Sequence, residues 1–390
     1  MAEKSKTSIP FWRDIRKLNV LIQIIFVILV IIAGFVLVKN MQSSLNLLGK
    51  TFGFEFFQDQ SSFAIPTESL EFDRTDPYWY AIVVGLVNTV KVAVFGIILA
   101  TILGTFMGIA RLSSNWLISK IAEVYVEIIR NIPLLVQLIF WYFAVFVNLP
   151  DARFSAEFFG IFLSNRGLFL PWAFPTDSFS VWAIYLGIAL VIAVVAYMFR
   201  RNQLKRAERP GFPGFTALGV FVLLGAITWF FVGSAPLNLE FPEFGRFNFS
   251  GGIVLSTEFS ALLFGLVIYT GAFIAELVRA GIQAVEKGQV EAAKALGLKG
   301  GKVLQLVVLP QALRVIVPPL TSQYLNLTKN SSLAVAIGYF DVTRVATTTI
   351  NQTGHGLEVI MVLMVCYLSL SLLISLVMNA YNRRIKLVER

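Results

Sequence analysis

The chain has 390 residues, 57% of them hydrophobic and 14% charged, with a formal net charge of +9. Soluble domains carry about 25% charged residues, so this deficit excludes an ordinary water-facing surface and points to an integral membrane protein. One cysteine, Cys366, and one histidine, His355, exclude an internal disulfide, a cysteine-based metal site and any two-histidine metal site, and no metal ligands are assigned.

A bilayer core about 30 Å thick requires about 20 mostly apolar residues per helix. About eight segments meet that requirement, which predicts an all-α membrane protein. The first spans residues 20–38. Its basic lead (Lys4, Lys6, Arg13, Arg16, Lys17) would also suit a cleaved signal. The apolar run is about 19 residues against the usual 7–15, however, and no small-x-small site follows. The segment therefore reads as a retained helix. An acidic stretch comes next, with Glu55, Asp59, Glu68, Glu71, Asp73 and Asp76.

The second helix, 81–109, opens on Tyr78, Trp79 and Tyr80, as an aromatic belt would. It carries Lys91 and a Gly104–Gly108 pair at GxxxG spacing, which permits close helix packing, within the chain or against a partner chain. The third, 124–147, contains a proline. The fourth and fifth cover 181–199 and 215–232, and Trp229, Phe230 and Phe231 close the fifth. The sixth is 260–282; the seventh, 315–337, is predicted to break at Pro318 and Pro319; the eighth is 357–378.

Alternating these spans from a cytoplasmic start places 22 of the 32 Lys and Arg residues inside. The positive-inside bias thus puts both termini in the cytoplasm. It also accounts for the basic balance without a nucleic-acid partner.

Between the sixth and seventh spans lies an unusual loop, 286–310. Residues 289–296 are strong helix formers, Gly288 precedes them, and Gly297 suits the left-handed position that ends a helix. A second amphipathic stretch, 303–309, is predicted to stop at Pro310. Two short helices with a glycine elbow, tethered at both ends to the membrane, suit docking into a groove of a cytoplasmic partner.

The spacing of Glu291, Ala292, Ala293, Gly297, Val307, Leu309 and Pro310 resembles the EAA loop of permease subunits in binding-protein-dependent ABC importers. Gly85-Leu-Val-Asn-Thr, residues 104–111, the run from Glu127 through Arg130 and Pro133 to Gln137, and the run Ala275-Glu276-Leu-Val-Arg279-Ala-Gly281-Ile-Gln283 are similar to polar amino-acid permeases. The resemblance covers 80–148 and 256–382, a five-helix type I core. Outside it lie 1–79 with the extra first helix, an insertion at 149–255 with two helices, and a basic tail at 383–390. With Lys329-Asn330-Ser331-Ser332-Leu333, this long form is similar to permeases of general L-amino-acid importers.

The resemblance implies a non-catalytic transport subunit of the bacterial inner membrane. A cytoplasmic ATPase dimer would bind ATP and Mg, a second, similar but distinct permease would complete the pathway, and a periplasmic binding protein would deliver the amino acid. No cofactor is implied for this chain. Glu291 would supply a charge contact to the ATPase, Ala292 and Ala293 would allow close approach, Gly297 would make the turn, and Leu309 and Pro310 would close the loop.

Charged residues within spans are costly and are functional candidates. Lys329, with Asn330 and Ser331, either meets the substrate carboxylate or pairs locally. Lys91 either lines the pathway or snorkels to the outer interface. Glu127/Arg130 and Glu276/Arg279 have i, i+3 spacing and read as local ion pairs or gate contacts. His355, between Gly354 and Gly356, reads as a solvated loop residue. Gly49-Lys50-Thr51 ends like a phosphate loop, but Ser44 stands where a glycine is required, so no nucleotide site is expected here.

Overall fold

The computed structural model describes residues 15–47, 52–66, 70–207, 211–246 and 249–385. The basic lead Lys4, Lys6 and Arg13, the phosphate-loop-like residues 49–51, Glu68, Arg209 and the end of the basic tail lie outside the described residues.

Among the described residues, seven helices are long and apolar enough to cross a membrane, and one bent pair makes an eighth span. Helix α1 (Ile15–Leu47) runs well beyond its apolar stretch, none of which is buried within the chain. Helix α2 (Tyr78–Ala110) follows the outer loop. The third span is not one helix starting at 124, as the apolar run suggested. It is α3 (Trp116–Asn131) and α4 (Leu134–Ile139) with its π-helical continuation Phe140–Phe146, bent by 105°. The cause is local. Pro133 forces Ile132 to an extended backbone (φ −108°, ψ 131°) and offers no N–H. The buried amide of Gln137 donates to the carbonyls of Ile129 and Ile132, both at 2.9 Å, so the bend leaves those carbonyls satisfied.

Helices α5 (Phe179–Arg206) and α6 (Pro213–Phe231) pack principally on each other. Short strands flank them, which the hydropathy pattern did not predict. They are β1 (Ala156–Phe158), β2 (Ile161–Ser164), β3 (Gly167–Leu170) and β4 (Trp172–Pro175) before α5, and β5 (Leu237–Glu240), β6 (Glu243–Phe244), β7 (Phe249–Ser250) and β8 (Ile253–Leu255) after α6. Sheet order β1-β2-β3-β8 joins the two arms. Pairing of β4 with β5 brings the chain leading into α5 beside the chain leaving α6, with Pro175 opposite Leu237.

Helix α7 (Thr257–Gln283) forms the centre of the body and leads to α8 (Lys287–Ala295). After a turn, α9 (Gly300–Val303), a π-helical turn (Leu304–Val308), α10 (Leu309–Asn330) and a 3-10 segment (Ser331–Ile337) form one continuous helical run. Two expectations fail here. Pro310 does not stop the preceding helix, because the turn before it widens so that Leu309 N–H bonds Leu304 and Pro310 takes a first-turn position where no donor is needed. Pro318 and Pro319 do not break α10 either. In a membrane span, neighbouring groups and local adjustments absorb the lost donors. The run ends at Gly338 (φ +83°), and α11 (Val342–Thr353) and α12 (Gly356–Ile385) complete the chain.

Helices α2 and α7 meet through small residues. A Cβ on Gly104 would lie 2.5 Å from Ile274 Cβ and 2.7 Å from the Gly271 carbonyl. One on Gly108 would lie 2.6 Å from the Ala275 carbonyl. The GxxxG pair is therefore used inside the chain. Lipid gives helices no hydrophobic reason to associate, so such close approach carries the packing. Gly104→Ala is expected to lower the thermal unfolding midpoint, at a cost of about 1–3 kcal/mol. Gly288→Ala, where nothing lies within 4 Å of the added carbon, should leave the midpoint unchanged when both are measured by scanning fluorimetry.

Candidate functional site

The elbow after α7 is closed by its own backbone. Gly297 takes φ +79°, its N–H bonds the Lys294 carbonyl at 2.9 Å, and Leu298 N–H reaches back to the Ala293 carbonyl at 3.2 Å. This double closure is a Schellman motif, and the left-handed residue it needs is the glycine. Nothing lies within 4 Å of a Cβ built on Gly297, so a substitution there strains the backbone rather than causing a clash.

The elbow is also glued to the body. Ala293 is buried at 5% exposure in a cluster with Val285, Val303 and Val308, with Val290, Leu298 and Val307 packed against it. Ala293 is thus an anchor facing inward and is not available for close approach by a partner. Glu291 and Ala292 face outward. Leu296, which the motif did not single out, is 83% exposed beside Gly297. Leu309 is exposed and Pro310 half-buried, within the helical run rather than at its end.

The root of the elbow carries an ion-pair cluster. Glu276 binds Arg279, whose Nε lies 3.2 Å from the carboxylate, and also binds Arg111 from the turn after α2. Arg111 is the member that helical spacing could not reveal, since it is 165 positions away. Glu127 and Arg130, by contrast, are exposed and form no ion pair with each other; Arg130 lies over the Phe273 ring at 5.1 Å. The bend at Pro133 frees this end of α3, and the aromatic face takes the guanidinium instead.

On α10, Val315, Pro318, Ser322, Asn326 and Lys329 are exposed and recur every three or four residues. They form one face, and its outer half is polar. Lys329 has no ion pair or side-chain hydrogen bond among the described residues. Asn330 is half-buried, and buried Ser331 donates to the Thr328 carbonyl at 2.8 Å. Lys91 is elsewhere. Its ammonium sits 4.9 Å over the Phe259 ring, at a cavity of about 280 Å3 shared with Asn88, Ser256 and Tyr339.

The segment after Gly338 is held by Asp341, which caps α11 by accepting from Arg344 N–H at 2.8 Å and accepts from the Tyr367 hydroxyl at 3.3 Å. Burial pushes its carboxyl up to about 6. His355 is not solvated. It stacks on Phe56 with centroids 4.3 Å apart and approaches buried Glu358 at 3.3 Å, tying the outer loop to α12. No group of three or more His, Cys, Asp or Glu suited to a metal occurs among the described residues.

Bundled spans around a central α7, a closed elbow at the end of that helix and a polar face open on one span define a polytopic membrane protein. Residues 189–387 match the family described as binding-protein-dependent transport system inner membrane component. The chain is 47% identical over 369 residues to the general L-amino acid transport system permease protein AapQ of Rhizobium johnstonii, covering 93% of this chain and 91% of that one. It is 40% identical over 414 residues to the glutamate/glutamine/aspartate/asparagine transport system permease protein BztB of Rhodobacter capsulatus, covering 97% and 96%. The chain belongs to this family of inner-membrane transport permeases.

The buried carboxyl gives a signed pH effect. Because the folded Asp341 titrates near 6 rather than near 3.8, the fold holds more protons between those values and loses stability as pH rises through them. Wild type is expected to lose about 1 kcal/mol between pH 5 and pH 7.5 from this group. Asp341→Asn, which keeps a capping oxygen, should remove that slope in thermal unfolding at the two pH values.

Proposed function

We propose that the chain is the membrane-spanning permease of an ATP-driven importer of L-amino acids, with hydrolysis carried out by a separate ATPase. The observation that carries this reading is the Schellman-closed elbow, which holds Glu291 and Leu296 outward on a support anchored by Ala293. An exposed leucine next to a fixed turn is a suitable anchor for a groove on a partner. ATP and Mg would bind between two ATPase copies, and none would bind here. Closure of that pair would pull the elbow, and Glu276 with Arg111 and Arg279 would pass the movement to both α2 and α7.

The polar face of α10 supports the rest of the assembly. Polar groups in a span face a bundle interior or water rather than lipid, so Ser322, Asn326 and Lys329 call for a covering surface. A second, similar but distinct permease is the partner we favour, with the solute moving along that seam. Every free amino acid carries a carboxylate that an ammonium such as Lys329 can meet. Lys91, at its cavity beside α7, would be a second contact along the way. The named relatives support L-amino acids as cargo. A soluble binding protein would deliver the solute from outside, and both termini would lie in the cytoplasm, surrounded by inner-membrane lipid and without nucleic acid.

Reconstitution with the candidate partners and labelled amino acids tests the reading. ATP-dependent uptake is expected, and uptake that persists without nucleotide overturns it. Leu296→Asp should weaken ATPase attachment roughly thirtyfold, the loss of one anchor of about 2 kcal/mol. Gly297→Val should act in the same direction through backbone strain of about 1–2 kcal/mol. Lys329→Met should reduce uptake while the ATPase still copurifies, separating the pathway from the coupling surface.

A further inference from the structure

The two inserted helices carry a crevice that the transport mechanism does not use. Helices α5 and α6 touch through small residues: Ala189 and Ala193 are 2% and 4% exposed, and buried Gly225 lies against Leu186. Trp182 Nε1 donates to the Gly225 carbonyl at 3.2 Å and fixes one end of the seam. Because the contact residues are small, the larger side chains on either side stand apart and leave open space. One cavity, of about 570 Å3, lies between Trp182, Leu186, Phe221 and Trp229. A second, of about 310 Å3, continues along Leu190, Val194, Tyr197 and Leu218. Both are lined almost wholly by carbon.

A third cavity, of about 440 Å3, follows at the end of α5 and is formed by Arg200, Gln203, Leu204, Arg206 and Ala207. Residues 182, 186, 190, 193, 197, 200 and 204 share one helical face, so the three spaces form one line about 33 Å long at 1.5 Å per residue. The line is apolar for most of its length and cationic at one end. Residues 200–209 contain five basic residues and one acidic residue. Arg201 and Arg206 are exposed and have no acidic partner among the described residues, and Arg200 bonds only Gln203, at 3.3 Å.

We propose that this crevice is a binding site for an anionic phospholipid. Its phosphate would lie between Arg200 and Arg206 in the third cavity, with exposed Arg201 adding charge nearby, and its acyl chain along Val194 and Leu190. Guanidinium groups match phosphate oxygens with paired N–H donors. Basic clusters where a span leaves the bilayer attract anionic headgroups. The charge at one end and the carbon lining beyond it fit a single amphiphile with a negative head. A helix from a partner chain could use the apolar part, but it would leave the arginines without counter-charge.

The test uses the full transporter complex in nanodiscs of equal parts phosphatidylglycerol and phosphatidylcholine. Lipid retained after detergent washing is quantified by mass spectrometry. Wild type should retain phosphatidylglycerol preferentially. The R200Q/R201Q/R206Q variant should lose that preference roughly tenfold. Val194→Trp, which fills the open part of the crevice from an exposed position, should lower retention of phosphatidylglycerol with all three arginines intact. Neutralising Lys39, Lys120 and Arg383, three exposed charges elsewhere, should change nothing. Equal retention of the two lipids by wild type overturns the proposal. So does an equal loss in the control variant, or a crevice that a thiol reagent reaches (through Leu190→Cys) only when the partner permease is left out.

Discussion

Close approach of α2 and α7 is the contact on which the rest of the body depends. Gly104 and Gly108 let the two backbones meet, and from that contact α7 runs to the elbow while α2 runs to the turn bearing Arg111. The Glu276 cluster then closes the same pair at the end that leads to the elbow. Two helices packed at backbone distance, with Arg111 at the end of α2 bound to the Glu276 carboxylate of α7, give the elbow a rigid mount. The small residues and the charges thus serve one purpose at different depths.

The departures from regular helix are each satisfied locally. At Pro133 the side chain of Gln137 takes the carbonyls that the bend releases. Before Pro310 the backbone widens by one residue, and beyond Asn330 it tightens. Lipid supplies no hydrogen bonds, so irregular backbone survives at depth only where side chains or altered turns replace them. These irregular points sit in two spans, the bent α3–α4 pair and the run through α10 that leaves the elbow.

Much of this was legible in the residues alone. Twenty apolar residues in a row have few alternatives to a span, and the elbow's glycine with its helix-forming flank could be read from spacing. Proline geometry was not legible. Pro133 bends its span because the preceding residue is forced extended, whereas Pro318 and Pro319 are absorbed, and hydropathy treats them alike. The facing of Ala292 and Ala293 could not be separated either, because only the packed structure shows that Ala293 joins Val303 and Val308. Arg111 is too distant in sequence for periodicity to pair it with Glu276. The short strands around the insertion have too few residues to stand out beside long apolar runs. Ser322, Asn326 and Lys329 were readable in principle by their spacing of four and three, a polar face inside an apolar span.

The neck formed by β4 and β5 bears on how such a protein can change over evolutionary time. Both arms of the inserted hairpin leave the body at one place, and two crossings return the chain to the side it left. Parity is therefore conserved: an even number of added helices leaves every later segment on its original side, whereas a single added helix would invert them all. The neck makes the hairpin an appendage that can lengthen, shorten or diverge while the elbow keeps both its place and its sidedness.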